Sequence, residues 1–175
     1  QKAPTMATIK TPANLTASER AALANAAAQI GIPSDWLFGL IKTESGWVPN
    51  VKNPNGSARG LIQWVDKTAK ALGYASSLDL VTKHPTRESQ LLGPVVAYLK
   101  KWGPIGSPEE LAAVNFYPAN RRKLDAPLPA EAQRVNPGIV TVRDYFKKYM
   151  AKNIPGYVAA SPAVALAVVG VAGFF

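Results

Sequence analysis

The sequence predicts a mainly α-helical single globular domain with a minor β component. Three observations carry that reading. The 175-residue chain is 47% hydrophobic and 18% charged, enough apolar material for one substantial core. Strong helix starts recur, with the capping pattern Thr16-Ala17-Ser18-Glu19 and the run Ser107-Pro108-Glu109-Glu110. Apolar residues also fall at helical spacing, as in Trp36, Leu37, Leu40 and Ile41.

Taken in order, residues 1–15 form a loose leader with Pro4, Pro12 and no periodicity. Gln1 as the first residue suggests a processed or trimmed chain, and no secretory pattern is visible there. An Ala-rich helix is expected from the Thr16 cap to Ile30, ended by Gly31. A second starts near Ser34-Asp35 and stops at Gly46 and Pro49. Residues 48–59, rich in Asn, Pro and Gly, read as a loop or a short irregular hairpin. Further helices are expected over 65–72, over 87–102 with a kink or break at Gly93-Pro94, and over 107–116. Residues 118–138 are proline-rich loop with one short helix, and 140–152 form a last amphipathic helix. The main domain is thus 16–153, followed by an apolar tail, 154–175.

From Val158 to Phe175 the tail carries no charge. Pro162 divides it and leaves 13 residues from Ala163 onward. As a helix this is roughly 20 Å, short of a bilayer core of about 30 Å. The tail is therefore expected to be a helix docked on the domain, with contact to an anionic membrane as the alternative.

The chain has no cysteine and one histidine, His84. That excludes a disulfide framework, a cysteine nucleophile and multi-histidine zinc sites. No metal and no cofactor is expected, and the chain is expected to be a monomer. The formal net charge of +9 favours an anionic partner such as nucleic acid, anionic lipid or a carboxylate-bearing cell wall. Nothing interleaves aromatic and basic residues as a base-stacking surface would, so nucleic acid is disfavoured.

The most informative stretch runs from Glu44-Ser45-Gly46-Trp47 to Gly60-Leu61-Ile62-Gln63-Trp64. Glu44 falls where the apolar stripe asks for an apolar residue. Burial there, and the negative end of a helix, would both disfavour its charged form. That is the direction a general acid needs near neutral pH. A solvent-facing or salt-bridged glutamate is the competing reading of the same pattern.

The order Glu44-Ser45, Gly60-Leu61-Ile62-Gln63, Ala113-Val114-Asn115 and Arg143-Asp144-Tyr145 resembles the soluble-type lytic transglycosylases of the lysozyme-like superfamily. That type includes phage virion-associated murein hydrolases. The resemblance covers roughly residues 17–150. It implies a lysozyme-like α+β fold with a catalytic cleft, and peptidoglycan as substrate. Glu44 would be acid and base in cleaving the N-acetylmuramic acid–N-acetylglucosamine bond, giving a 1,6-anhydro product.

By the same resemblance Gly60 lies in the turn that lines the cleft, Gln63 and Asn115 position the sugar, and Tyr145 bonds near Glu44. Tyr149, one turn later, is the alternative tyrosine. Ser45 supports local geometry or touches substrate. Trp47 and Trp64 are either sugar-stacking platforms or core residues. Two departures stand out: Ile62 replaces the usual methionine, and Val114 the usual tyrosine.

Asp66 is the candidate second carboxylate for a hydrolytic mechanism. Its place before the next helix favours instead an N-cap role, and with it a single-acid mechanism. The expected setting is a bacteriophage enzyme that opens the wall during entry or lysis, associated with the virion or acting in the periplasm or cell wall. The tail would then contact virion components or membrane. Competing functions are a murein endopeptidase and a non-catalytic basic module that binds wall or membrane.

Overall fold

The computed structural model describes residues 15–158, so the leader and most of the tail, for which a docked helix was expected, lie outside the described residues. Nine short to medium α-helices, joined by π and 3-10 turns, are found among the described residues. They are α1 Ala17–Ile30, α2 Ser34–Ser45, α3 Asp66–Ala71, α4 Ser77–Lys83, α5 Arg87–Gln90, α6 Val96–Lys100, α7 Pro108–Phe116, α8 Ala130–Val135 and α9 Val142–Tyr145. Among the described residues, β structure amounts to two isolated antiparallel bridges, Lys52 to Arg59 and Arg59 to Trp64. The 48–59 segment is thus an irregular hairpin.

The expected caps form. The Thr16 hydroxyl accepts from the Glu19 N–H at 3.1 Å, and the Glu19 carboxylate accepts from the Thr16 N–H at 2.8 Å. Glu19 also pairs with Arg87 at 3.1 Å, tying the start of α1 to α5. Ser107 caps α7 by accepting from the Glu110 N–H. The Glu110 carboxylate, however, reaches Gly106 and Arg121 rather than the Ser107 N–H. Burial pulls its pKa up, but those bonds and Arg121 dominate and hold it below the ordinary value.

Three expectations need revision. Residues 87–100 keep one helical path, because a π turn over Leu91–Val95 absorbs Pro94 between α5 and α6. The last helix does the same, running from α9 into a π turn at Phe146–Met150 and a 3-10 turn at Ala151–Asn153. Helix α4, capped by Ser76 accepting from the Asp79 N–H, lies between the expected helices 65–72 and 87–102, where none was expected.

The core gathers around α2. Leu37, Leu40 and Ile41 are completely buried. Helix α2 packs on α1, on α7 and on the 146–153 turns. Gly39 permits the closest of these contacts: a Cβ there would meet the Ile154 side chain and, at 3.1 Å, its Cα. Helix α7 in turn packs on α9. The end of α2 is therefore enclosed by elements distant in sequence, and that enclosure builds the site.

Candidate active site

Glu44 is the penultimate residue of α2. The helix stops because Gly46 takes a left-handed conformation (φ 59°) and its N–H bonds back to the Lys42 carbonyl at 3.1 Å. One helical turn beyond Leu40 and Ile41, Glu44 continues the inward stripe and is only 5% exposed. A carboxylate stripped of water resists ionisation, and burial pushes Glu44 up to about 7. Hydrogen bonding from Tyr145 and Asn115 opposes that shift. No second carboxylate among the described residues contributes to it.

Tyr145 reaches Glu44 from α9. Thr141 caps that helix through a reciprocal pair with Asp144, which fixes where the tyrosine points. The phenol donates to Glu44 Oε1. Its ring stacks on Phe116 of α7 at 4.2 Å and 6° between planes, so orientation is set by packing as well as by the hydrogen bond. The phenol is itself pushed well above its ordinary pKa by burial and by Glu44, and stays a donor. Tyr149 sits 5.5 Å away against the Tyr145 ring. Of the two tyrosines, Tyr145 is the one bonded to Glu44.

Asn115 lies in α7, almost buried, and its amide donates to the Ile62 carbonyl at 3.3 Å. It therefore joins α7 to the turn that precedes Gln63 while acting on Glu44. Gln63 adopts φ 58°, an uncommon conformation for a residue with a side chain. Its amide donates to the Gly60 and Val51 carbonyls at 3.0 and 3.3 Å, which offsets part of that strain. Gln63 and Asn115 line one small pocket with Ile62, Trp64, Val65, Thr68 and Tyr98.

Tyr98 was not singled out by sequence. Its hydroxyl donates to the Val114 carbonyl at 2.8 Å, beside Asn115. Burial, with a contribution from the Glu44 charge, pushes it up to about 12. It fills space next to Val114, the position where the resemblance lacks its tyrosine. Tyr98 lies in α6, directly after the π turn at Leu91–Val95.

Other sequence candidates lie elsewhere. Trp47 and Trp64 are 0% and 2% exposed, so neither ring presents a face to a sugar. Their stacking role is corrected to core packing: Trp47 packs on Phe38 at 5.4 Å, and Trp64 lies under Gly60. Ser45 is buried and donates to the Ile41 carbonyl one turn back, so it secures the helix end. Gly60 (φ 82°) is demanded by packing, since a Cβ there would stand 2.6 Å from the Trp64 ring and 2.9 Å from Gln90 Oε1.

Asp66 is neither the N-cap of α3, a place taken by Val65, nor a partner of Glu44. Its Oδ1 accepts from the Ser77 N–H at 2.9 Å and the Ser77 hydroxyl at 2.8 Å, joining α3 to α4. Those bonds hold its carboxyl below the ordinary range. His84 meets the Tyr74 hydroxyl at 2.7 Å, where α4 ends. Among the described residues, no three His, Cys, Asp or Glu side chains gather as metal ligands do. No described helix is long and apolar enough to cross a membrane.

No curated protein matches the chain. Residues 22–95 match the family of the transglycosylase SLT domain. Members of that family are lytic transglycosylases that act on peptidoglycan. The matched stretch contains Glu44, Gly60 and Gln63, whereas Asn115 and Tyr145 lie beyond it and are brought to Glu44 by the packing of α7 and α9 on α2. The segment bearing Glu44 thus matches the transglycosylase SLT domain, and its setting among the described residues is a mainly helical fold consistent with a lysozyme-like domain.

Proposed function

We propose that the chain cleaves the glycosidic bond between N-acetylmuramic acid and N-acetylglucosamine, with Glu44 as the single acid and base. The observation that carries this reading is the enclosed Glu44 carboxyl, raised to about 7 and held on one oxygen by Tyr145. Near neutral pH such a group both keeps and releases a proton. Because Tyr145 occupies Oε1, the proton is assigned to Oε2.

Glu44 gives that proton to the bridging oxygen as the bond from the muramoyl C1 breaks, and the N-acetylglucosamine end leaves as an alcohol. Positive charge develops at C1, and the Glu44 carboxylate now stabilises it. The muramoyl 6-hydroxyl oxygen then bonds to C1 while Glu44 takes its proton. The product is a 1,6-anhydro sugar, no water is consumed, and Glu44 is again protonated. Tyr145 supports the cycle by donating to the carboxylate in its charged phase, and Gln63 and Asn115 orient the sugar.

Two observations favour this route over hydrolysis. A retaining hydrolase needs a second carboxyl about 5 Å from the first. Asp66, the next acid after Glu44 along the chain, is engaged by Ser77, and the charge of no other carboxylate among the described residues acts on Glu44. Digestion of purified murein in ¹⁸O-labelled water tests the assignment. Anhydro-muramoyl ends without label support it, and labelled reducing ends would establish hydrolysis.

The biological setting belongs to the same proposal. A small, basic, wall-cleaving enzyme suits a bacteriophage that must breach the wall at entry or lysis. Stem-peptide carboxylates would concentrate a chain of net charge +9 on its substrate.

A further inference from the structure

A second pocket, of about 390 Å³, opens on the other side of the Gln63 turn. Lys52, Ser57, Arg59, Asp66, Ser76 and Ser77 line it. Val65 lines the first pocket and Asp66 the second. Consecutive Cα atoms are about 3.8 Å apart, so the two linings meet at the Val65–Asp66 link.

The walls of this second pocket are fixed. Arg59 is anchored by paired backbone bonds with Trp64, at 2.8 and 3.0 Å. The Ser57 hydroxyl accepts from the Asp66 N–H at 3.2 Å, and Ser77 binds Asp66. Among the described residues, Arg20 and Arg59 are the two arginines without a salt bridge. Arg87, Arg121, Arg122, Arg134 and Arg143 all pair with carboxylates. Arg59 and Lys52 make no salt bridge among the described residues, although Arg59 acts on Asp66 at longer range. Asp66 is the one acid in the lining and is already committed to Ser77.

We infer that this pocket binds a carboxylate of the stem peptide, through Arg59 and Lys52, while the glycan lies against Gln63 and Asn115. The inference rests on the reading of the Glu44 site as the glycan-cleaving centre. The chemistry matches in both directions. Stem peptides hang from the muramoyl lactyl group, so a peptide leaves the sugar sideways rather than along the strand. A guanidinium without an ion-pair partner gains most from a planar carboxylate. The Ser57 and Ser76 hydroxyls accept from the Asp66 and Asp79 N–H groups and keep their own protons to donate to peptide carbonyls.

The test compares wild type with the Lys52→Gln/Arg59→Gln variant on two substrates: murein with its peptides, and glycan strands stripped of peptide by an amidase. The variant's KM should rise about tenfold more on the peptide-bearing substrate than on the stripped strands. Equal changes on both substrates, or none, would overturn the inference. Titration of the wild type with a free stem peptide and with its carboxamide analogue reads binding without turnover. The acid should bind severalfold more tightly, and that difference should vanish in the variant. Preference for glycerol phosphate over the peptide would assign the pocket to a phosphate and also overturn it. Absence of Glu44-dependent cleavage of either substrate by wild type would instead defeat the underlying glycan reading, leaving the titration to judge the pocket.

Discussion

Glu44 carries an energetic cost that its position explains. A carboxyl with an ordinary value of 4.5 that sits near 7 when folded binds its proton more tightly in the folded than in the unfolded chain. Its contribution is therefore most favourable below about pH 4.5 and is lost as pH rises through about 7. The difference amounts to ~3 kcal/mol once both states are ionised. Glu44→Gln should thus look increasingly stabilising, relative to wild type, between pH 4.5 and pH 8. Thermal melts across that range check it; a constant difference would mean that Glu44 is not buried as described. Tyr145→Phe removes a hydrogen bond that lowers the Glu44 pKa. The alkaline limb of its rate profile should move to higher pH, with kcat down about tenfold or more. An unmoved limb would separate Tyr145 from Glu44 function.

At this scale the sequence was partly legible. Glu44 was visible as a carboxylate inside an apolar stripe. The tryptophans were not decided by sequence, because an aromatic beside a turn can face a sugar or the core, and only their burial at 0% and 2% settles it. Tyr98 was missed because it reaches the site through a contact of α6 with α7, its hydroxyl donating to the Val114 carbonyl, which its local sequence does not encode.

Among the elements, helices with strong local signals emerged where expected. The Thr16 and Ser107 caps and the Gly31 and Gly46 stops are set within a few residues of chain. Helix α4 had its own cap in Ser76, but only seven residues, too few for a clear apolar period. The two π turns record how the chain accommodates Pro94 and packs Phe146 and Met150, which no local pattern encodes. The Gly60–Gln63 turn makes a direct prediction. Gly60→Ala would place a methyl against the Trp64 ring in a left-handed backbone. It should destabilise by about 3 kcal/mol and lower Tm by about 6–12 °C. A melt within a degree of wild type would mean the turn is not packed as described.

For the whole molecule, the decisive fact is convergence. Glu44, Asn115 and Tyr145 come from α2, α7 and α9, so an intact core is the condition for a complete site. The family match ends at residue 95, yet the elements after it supply the groups that act on Glu44. The formal charge of +9 is also a property of the whole. Binding to murein should weaken severalfold as salt rises from about 50 to 300 mM, because exposed charges are screened beyond about 10 Å at 0.1 M. Co-sedimentation with purified murein measures this, and salt-independent binding would leave the basic surface without a part in substrate capture.

The central claim is that one enclosed carboxyl performs the chemistry. Mass spectrometry of purified murein digested by wild type and by Glu44→Gln tests it most directly. The account predicts anhydro-muramoyl fragments from wild type and a loss of at least about a hundredfold in their rate of formation from the folded variant. Undiminished digestion by Glu44→Gln would contradict it.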